Sequence, residues 1–555
     1  MNFKENESAT KLRGGYYTDP DIASFLLRWV LHISPETILE PSCGDGVFFR
    51  VLSDLAPQSV RSVVGFEIER AEAAKARNIA QSLKKTGVEI HCRDFLGWSL
   101  LQFTKLPVFD AVVGNPPFIR YQYLDDSSQE ISQRILRFFH LPFTKHTNAW
   151  VPFVISSLAL LRPGGRLAMV VPSELLHVLH AESLRTFLTK ECSRVLIFDP
   201  QELWFEDTLQ GAILLLAEKK ETNNAVFKGV GIIHTRNKAF LSDDPEDHFR
   251  KAGYTNGETV NGKWMLALLT DSERKVLRDA RSNPQIYRFE DVAGVAVGIV
   301  TGANKFFLVP DSIVNEFGLE EWAYPMFGRS EHVPGVIYDD ATIRRNRQLG
   351  MPTNFIWFTD ERLKDLPLSV QKYIKIGESQ GIHTRYKCRI REPWYSVPSV
   401  YSTPVGMLKR CHNFPRLILN KIQAYTTDTA YRVNPKQFGS ISLVFSFINS
   451  LTALTAELEG RHYGGGVLEL VPSEIRKLLV PMQKADEKKV HHLDDLLCKG
   501  IGPELLLAKQ DSAILKSVGL SSEACEELLH AWVRLRLRRQ RQEMQDLQGE
   551  EEGEN

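Results

Sequence analysis

Short apolar runs alternate with amphipathic stretches over the first part of the chain, and several of these runs end in a polar residue. The polar residues are Glu40, Glu67, Asp94 and Asn115. Apolar runs of about four to eight residues are typical of buried strands, and strands that alternate with helices predict a parallel sheet in an α/β fold. Because ligands bind at the carboxyl ends of such strands, we expect the four polar residues to lie along one edge of a sheet.

The same pattern continues to about residue 220 and then changes. Residues 150–161 predict a helix and residues 166–172 a strand, and the runs at 195–198 and 211–216 predict the last two strands of the sheet. From residue 286 onward, short apolar runs with glycines indicate a second, mixed α+β domain. We therefore expect a first domain at 1–225, a linker at 226–285, a second domain at 286–485, a helical segment at 486–545 and an acidic, disordered tail at 546–555.

Chain length and cysteine spacing exclude several classes of protein. A chain of 555 residues is too long for a single hydrophobic core. Its seven cysteines include no CxxC pair, which argues against a zinc site or a disulfide framework and fits a reducing cytoplasm. No uncharged apolar stretch approaches the roughly 20 residues that a membrane span needs, and the polar N-terminus is unlike a signal peptide. We therefore expect a cytoplasmic protein with no membrane partner and no metal.

The charges balance overall but are unevenly distributed. Lysine and arginine together number 68, as do aspartate and glutamate. Residues 385–421 nevertheless carry eight lysine and arginine side chains and a single acid, and aromatic residues lie among them. Cations interleaved with aromatic rings favour contact with a nucleic acid. Arg389, Arg391, Trp394 and Tyr395 are therefore candidates for DNA contact.

The loop after the run that begins at Phe109 has distinctive chemistry. It reads Asn115, Pro116, Pro117, Phe118. Its two prolines fix φ and remove two N–H donors, so that their carbonyl groups can only accept hydrogen bonds. Asn115 adds a side-chain acceptor and Phe118 a flat apolar face, a combination that suits an aromatic amine with two N–H groups. The alternative is an ordinary β-turn with a core phenylalanine.

A glycine loop follows the first apolar run, in residues 40–44. Glycines allow the backbone to approach a ligand closely at the first turn of such a sheet. The bulky Phe49 stands in place of the third small residue of the dinucleotide fingerprint, which argues for a cofactor without phosphates. Glu67 is placed to accept hydrogen bonds from ribose hydroxyls, and Asp94 could accept one from an adenine amine with Phe95 beside the ring.

These motifs resemble, in their order, the gamma arrangement of adenine-specific DNA methyltransferases found in Type II restriction–modification systems. The resemblance implies a Rossmann-like domain that depends on S-adenosylmethionine, followed by a mixed α+β target-recognition domain. It implies a bacterial or archaeal enzyme that methylates N6 of an adenine flipped out of duplex DNA. It also implies, as a possible partner, a separate cognate restriction endonuclease acting on the same DNA site.

The resemblance assigns residues to roles. The residues that it implies for catalysis are Asn115, Pro116, Pro117, Phe118 and Phe205. The residues that it implies around the cofactor are Tyr17, Thr18, Glu40, Pro41, Ser42, Cys43, Gly44, Glu67, Ile68, Asp94, Phe95, Asn115 and Pro116. For Phe205, a core aromatic is an equally good interpretation. Asp19, inserted before Pro20, is the one departure from the family pattern.

The second domain contributes further candidates. Residues 298–307 resemble the opening of the family's recognition domain, in which Asn304 and Lys305 suit close approach to a phosphate. A plain β-hairpin is an adequate alternative for this run. The basic helix expected at 532–541 either braces the domain or contacts the DNA backbone.

Other acceptors and roles are open at the level of sequence. Cytosine N4, an RNA base or a protein glutamine could take the methyl group, although compact enzymes of the last two kinds would not need the long C-terminal half. A non-catalytic DNA-specificity protein is a further alternative, against which the intact motif at 115–118 argues. The sequence offers no convincing acidic site with a Glu-x-Lys pattern downstream, so we expect no fused nuclease.

Overall fold

The computed structural model describes residues 17–83, 86–201, 204, 211–358, 362–463 and 465–541. These residues form two compact units. The first contains the described residues up to Leu269 together with Arg541, and the second extends from Thr270 to Gln540. Within the described residues no single helix is long and apolar enough to cross a membrane, and one bent pair, Ser440–Ser446 with Ser450–Glu459, would do so by length and composition only.

One large sheet forms the centre of the first unit. Its strands are β1 (Thr37–Glu40), β2 (Ser62–Glu67), β3 (Gly87–Cys92), β4 (Phe109–Gly114), β5 (Leu161–Pro172), β6 (Cys192–Pro200), β7 (Ala212–Lys219) and β8 (Val230–Thr235). They lie in the order β3-β2-β1-β4-β5-β7-β6-β8. Strands β1 to β5 pair in parallel, whereas β7 is antiparallel to both β5 and β6. The α/β fold with a mainly parallel sheet is therefore confirmed.

Helices pack on this sheet and supply much of its core. They are α1 (Pro20–Leu31), α2 (Val47–Leu55), α3 (Arg70–Ala80), α4 (Phe95–Leu100), α5 (Asp126–Phe138), α6 (Trp150–Ala159), α7 (Glu182–Glu191) and α8 (Pro245–Lys251). Helix α1 begins at Pro20, because Asp19 accepts a hydrogen bond from a first-turn N–H and proline suits the first position of a helix. Its buried face, which includes Phe25, Leu26 and Trp29, anchors the helix in the main core.

Strand β8 corrects the predicted linker at 226–285. It pairs in parallel with β6, with Val230 opposite Val195, and is an edge strand of the large sheet. Gly231 allows β8 to lie close to the Leu196 side chain of β6, because a Cβ at position 231 would lie 3.0 Å from Leu196 Cδ1. The linker prediction was wrong here because polar flanking residues mask a short apolar run. This run forms β8, which provides hydrogen-bond partners for the backbone of β6.

A buried ion pair ties α8 to the sheet. Arg166 on β5 donates to Glu246 on α8 with an Nη1–Oε2 distance of 2.7 Å, and both side chains are 5% exposed. The Arg166 guanidinium also lies 4.7 Å from the centre of the Trp29 ring. Arg166 also lies 3.5 Å from Glu218, so its buried charge has two acidic partners. Residues beyond 226 thus complete the core of the first unit.

Smaller sheets build the second unit. Their strands are β9 (Ile286–Arg288), β10 (Ala293–Val297), β11 (Leu308–Val309), β12 (Ala323–Phe327), β13 (Ile337–Tyr338), β14 (Asn354–Ile356), β15 (Val405–Leu408), β16 (Arg410–Cys411), β17 (Leu417–Asn420), β18 (Tyr425–Thr426), β19 (Ala430–Pro435), β20 (Arg461–Tyr463), β21 (Val467–Glu469) and β22 (Leu479–Pro481). They form the sheets β10-β19-β15-β17-β13, β11-β14-β12-β18, β16-β21-β20 and β22-β9. The mixed α+β character predicted for this part of the chain is confirmed.

The helices of the second unit include a long C-terminal one. They are α9 (Asp271–Arg281), α10 (Phe289–Val292), α11 (Asn304–Phe307), α12 (Asp311–Phe317), α13 (Asp340–Gln348), α14 (Leu368–Ser379), α15 (Tyr386–Arg389), α16 (Ser440–Ser446), α17 (Ser450–Glu459), α18 (Pro472–Ile475), α19 (Glu487–Cys498), α20 (Pro503–Ala513) and α21 (Ser522–Gln540). The basic helix α21 packs along α17 and α9. Arg539 on α21 forms a fully buried ion pair with Glu457 at 2.7 Å, and Arg534 pairs with Glu273 at 2.5 Å. These contacts support the interpretation of α21 as a brace.

Candidate active site

Neighbouring strands bring the predicted site residues to one edge of the large sheet. Strand β1 ends at Glu40, β2 ends at Glu67 and β4 ends directly before Asn115. Parallel pairing of β2 with β1 and of β1 with β4 aligns their carboxyl ends. Asp94 follows β3, which pairs with the other side of β2. The four residues therefore share the edge that their spacing predicts.

The loop between β1 and α2 depends on two glycines with positive φ. Gly46 has a φ of 93°, and a Cβ there would lie 2.9 Å from the Ala76 Cα atom of α3, so that only glycine fits. Gly44 has a φ of 51°, and a Cβ there would meet no described atom within 4 Å. The backbone at Gly44 consequently borders open space at the sheet edge, where a ligand could approach it.

The bulky Phe49 is accommodated by a glycine on the neighbouring strand. A Cβ at Gly65 of β2 would lie 2.8 Å from Phe49 Cζ, and the Phe49 ring is 1% exposed. Cys43 is also buried, and its N–H donates to the Phe66 carbonyl at 2.8 Å. Burial raises the pKa of the Cys43 thiol, so this side chain stays protonated and packs in the core as a neutral group.

Two carboxylates lie beside the glycine loop in different environments. Glu40 is 1% exposed, and no described residue donates a hydrogen bond to its Oε2 atom. Burial raises the pKa of the Glu40 carboxyl well above its ordinary value, and the charges of Asp45 and Glu67 raise it further. Glu67 accepts hydrogen bonds from the N–H groups of Gly44 at 2.9 Å and Glu69 at 2.8 Å. A cationic group next to Glu40 would therefore stabilise the charged form of this buried carboxyl group.

The third strand end differs in part from the prediction. The Asp94 carboxylate caps α4, where it accepts from the N–H groups of Leu96 at 3.1 Å and Gly97 at 2.6 Å. Phe95 is 2% exposed and packs against the rings of Phe66 and Phe153. Ile68, by contrast, is 68% exposed next to Glu67. The exposed apolar side chain on this edge is thus Ile68, whereas Phe95 belongs to the core.

Hydrogen bonds hold Asn115 from two sides. The Ser42 hydroxyl donates to the Asn115 carbonyl at 3.0 Å, and Asn115 Nδ2 donates to Thr18 Oγ1 at 3.2 Å. Thr18 is 7% exposed and directly precedes Asp19, which caps α1. The inserted Asp19 therefore takes over the capping of α1, and the Thr18 hydroxyl contacts Asn115. Tyr17, one residue earlier, is 56% exposed.

The remaining residues of the loop pass from the sheet edge toward the core. Pro116 is buried, Pro117 is half-buried, and the half-buried Phe118 packs against the main core of the first unit. Phe205, the other aromatic residue predicted at this site, lies outside the described residues. Beyond Phe118, the Tyr121 N–H donates to Asn148 Oδ1 at 3.1 Å. Sequence reasoning missed Asn148, because nothing in the residues around it signals a contact with the loop.

Two of the predicted DNA contacts are used inside the second unit. Asn304 Oδ1 accepts from the Thr301 hydroxyl at 2.5 Å, and Asn304 Nδ2 donates to Asp428 at 2.9 Å. Arg391 donates to the Thr301 carbonyl at 2.9 Å and to the Val300 carbonyl at 2.6 Å. Arg391 thus joins its own segment to the loop at 300–301, and Asn304 is bonded within that loop and to Asp428. Their contact with DNA stays a prediction.

Two further candidates belong to a hydrophobic core. Tyr395 is 2% exposed and packs against Phe358 at a ring-centre distance of 5.8 Å. Trp394 is half-buried against Phe306 and donates through Nε1 to Glu378 at 3.1 Å. Composition alone does not distinguish a buried aromatic ring from an exposed one, so the sequence did not predict these packing contacts. Of the predicted set, Lys305 and Arg389 are exposed.

A groove of about 460 Å³ lies beside these residues. It is lined by Val297, Gly298, Ile299, Val300, Lys387, Ile390, Arg391, Pro398, Ser399 and Arg432. Ile390 is 61% exposed and Val297 43% exposed, and Tyr386 at 63% lies close by in sequence. Lys387 and Arg389 carry exposed positive charges on the same short segment. The groove therefore combines apolar side chains with cations on an accessible surface.

Comparison with known proteins identifies the family. Residues 2–259 match the family described as N-6 DNA Methylase, and residues 261–515 match the C-terminal domain of Type II methyltransferase M.Eco57I. The chain belongs to the Type II DNA methyltransferases of restriction–modification systems. The two matches meet close to the boundary between the two compact units of this methyltransferase.

Individual relatives are distant in sequence. Type II methyltransferase M.AccI of Acinetobacter calcoaceticus is 23% identical over 83% of this chain and 84% of its own length. M.BstVI of Geobacillus stearothermophilus is 25% identical, with 54% of this methyltransferase aligned to 60% of the relative. The solved type IIG restriction endonuclease BpuSI is 15% identical with a TM-score of 0.44, over 96% of this chain and 67% of that one.

Proposed function

We propose that this Type II methyltransferase transfers a methyl group from S-adenosylmethionine to the exocyclic N6 amine of an adenine in duplex DNA. The observation that carries the proposal is the position of Asn115 and the prolines after it. They follow β4 directly, beside the acidic strand ends of β1 and β2, with Asn115 held by Ser42 and Thr18. An amine acceptor loop and a site for a cationic methyl donor thus share one sheet edge.

The residues at this edge fit S-adenosylmethionine. Its ammonium and sulfonium groups are cations, and Glu40 offers a buried carboxylate oxygen without a described donor. Gly44 borders open space, Glu67 is suited to ribose hydroxyls and the exposed Ile68 to a flat adenine ring. When bound, this cofactor supplies an electrophilic methyl group. Asp94 would contribute through the edge of its carboxylate that faces away from α4.

Catalysis in this proposal rests on hydrogen bonds to the amine. The lone pair of an exocyclic adenine nitrogen is delocalised into the ring, which makes it a poor nucleophile. The Asn115 side-chain oxygen and the Pro116 carbonyl accept from its two N–H groups and favour a pyramidal nitrogen with a localised lone pair. No strong general base is needed for this step. Stacking of the base on Phe118 offsets part of the cost of flipping, a few kcal/mol.

The groove of the second unit supports contact with DNA. Lys387 and Arg389 provide charge for phosphates, and the exposed apolar side chains Val297 and Ile390 are of the type that contacts thymine methyl groups. We assign target recognition to this unit, with Lys305 as a further phosphate contact. The name of one relative, the Type II restriction enzyme and methyltransferase RM.Eco57I, joins both activities. For this chain, we propose a separate nuclease that acts on the same site.

Sequencing that detects methylated bases would test the proposal. DNA is prepared from cells that express this chain and from cells that express an Asn115→Ala variant. We expect N6-methyladenine at one recurring sequence with the native chain and none with the variant. N4-methylcytosine, methylated RNA or unmodified nucleic acid in cells that contain folded native protein would refute the assignment of the acceptor.

A further inference from the structure

The segment that follows the catalytic loop (residues 115–118) is bound to the chain around the buried Asn148. Asn148 lies just before α6 and is 6% exposed. Its Oδ1 atom accepts from the Tyr121 N–H at 3.1 Å, and the N–H of the next residue, Ala149, donates to the Ile119 carbonyl at 3.0 Å. These two hydrogen bonds fix the backbone at 119–121, which begins directly after Phe118.

The orientation of the Asn148 amide is set by a carboxylate from a neighbouring strand. Asn148 Nδ2 donates to Glu174 Oε2 at 3.0 Å, and Glu174 follows the carboxyl end of β5. A carboxylate accepts hydrogen bonds and cannot donate them when ionised, so the amide nitrogen must face Glu174. The amide oxygen consequently faces the Tyr121 N–H. With the reverse orientation, two donors would meet at Tyr121.

The turn that carries Glu174 is itself held firmly. Arg185 on α7 is 2% exposed and donates to the carbonyl groups of Leu175 and Val178, both at 2.9 Å. His180 lies 3.7 Å from Glu174 Oε2. A continuous series of contacts therefore leads from α7 through Glu174 and Asn148 to the segment after Phe118.

We propose that Asn148, oriented by Glu174, is a positioning residue for methyl transfer. Through Tyr121, it holds the downstream end of the catalytic loop, so that the Pro116 carbonyl and the Phe118 ring are in place before the base arrives. Preformed geometry of this kind lowers the barrier of the chemical step rather than the affinity for either substrate. The inference rests on the proposed function for its catalytic part, and on the described contacts alone for its structural part.

An exchange of hydrogen-bond polarity tests the pair. In Asn148→Asp, one oxygen of the new carboxylate can still accept from the Tyr121 N–H, but the other faces the carboxylate of Glu174. Adding Glu174→Gln restores a hydrogen bond in the opposite direction, because the glutamine amide then donates to the carboxylate introduced at position 148. We expect N148D to lower kcat about tenfold or more, and the double variant N148D/E174Q to recover most of the loss.

Three readouts separate positioning from general damage. On genomic DNA from a host without the enzyme, kcat should fall in N148D while KM for DNA and the Kd for S-adenosylmethionine stay near native values. Hydrogen exchange at the Tyr121 amide, which needs no substrate, should accelerate in N148D and slow again in N148D/E174Q. The matched control is Asn420→Asp, an equally buried asparagine (6% exposed) in the second unit, which should affect stability but not exchange at Tyr121.

Each outcome decides the inference. Native kcat in N148D, or a double variant no better than the single one, would overturn it. If N148D lowered cofactor affinity and thermal stability together with kcat, the inference would also be overturned, because Asn148 would then support only the fold. If the native enzyme methylates no DNA, the proposed function fails instead, and exchange at Tyr121 still supports or overturns the structural part by whether it follows the polarity of the pair.

Discussion

The direction in which the Asn115 amide faces depends on a neighbouring hydroxyl. Because Asn115 Nδ2 is directed at Thr18 Oγ1, 3.2 Å away, Oδ1 is directed to the opposite side. Asp19 caps α1, and this arrangement leaves the Thr18 hydroxyl to contact Asn115 rather than the helix terminus. Asp19, the residue that departs from the family pattern, thus allows Thr18 to contact Asn115.

Replacing Thr18 by Val keeps the shape of the side chain and removes the acceptor for Asn115 Nδ2. A hydrogen bond of this kind contributes about 0.5–1.5 kcal/mol, so we expect the single-turnover rate of methyl transfer to fall roughly threefold to tenfold. Thr18→Ser keeps the hydroxyl and should stay near the native rate. A T18V enzyme as fast as the native one would contradict the orienting role.

Glu40 predicts a pH-dependent stability in the absence of cofactor. Its raised pKa means that the folded state binds this proton more tightly than the unfolded state, so folding is penalised progressively as pH rises above about 4. Glu40→Gln removes that penalty along with the charge that Asp45 and Glu67 oppose. We expect the Tm of E40Q to exceed the native Tm by a margin that widens with pH, while affinity for S-adenosylmethionine falls.

The Glu36→Gln variant is the control, since this carboxylate is 57% exposed whereas Glu40 is buried. Thermal scans from pH 4 to 8 without ligand check the stability, and calorimetry at pH 7 checks the affinity. A constant difference in Tm between E40Q and native protein across this range would contradict the account of Glu40.

The glycine loop and the strands beside it illustrate what sequence patterns predict at the scale of elements. The strand ends, the start of α1 and the tight loop at 40–46 were predictable because each depends on residues close together in the chain. The accommodation of Phe49 by Gly65 was not, since the two lie on different elements and only packing brings them together. Strand β8 was missed because polar flanking residues mask its short apolar run.

Gly65→Ala tests the packing of β2 against α2. The added methyl group would lie 2.8 Å from Phe49 Cζ, so we expect the free energy of unfolding of the first unit to fall by about 1–3 kcal/mol. Adding Phe49→Leu should recover part of this loss. Gly87→Ala on β3, where the nearest atom would be 3.5 Å away, is the control in urea titrations. Equal effects of G65A and G87A would contradict the packing argument.

At the scale of the whole molecule, the proposed active site and the candidate DNA surface belong to separate units. The order of motifs along the sequence indicated this division, and the family matches follow it. The residues of the DNA surface were harder to predict. Asn304, Arg391, Trp394 and Tyr395 have the composition of a DNA contact, but the first three also form hydrogen bonds within the second unit and Tyr395 is buried. These contacts depend on packing between segments that are distant in sequence, which the sequence pattern does not report.

Lys387, which lines the groove, and the exposed Arg389 on the same short segment give a prediction for DNA affinity. We expect the double variant K387A/R389A to bind duplex DNA more weakly and to show a salt dependence reduced by about one unit of slope per lost phosphate contact. Arg281→Ala on α9, an exposed cation outside the groove, should leave affinity and slope unchanged. Fluorescence anisotropy at several salt concentrations measures both quantities, and identical behaviour of the two variants would contradict the groove assignment.

The central claim is that Asn115 and the prolines after it activate an adenine amine beside a bound methyl donor. Its most direct test is mass spectrometry of the nucleosides released from duplex DNA after incubation with purified enzyme and S-adenosylmethionine. We expect N6-methyldeoxyadenosine with the native enzyme and none with Asn115→Ala, whose Kd for the cofactor should remain near the native value. Equal yields of N6-methyldeoxyadenosine from the two proteins would contradict it.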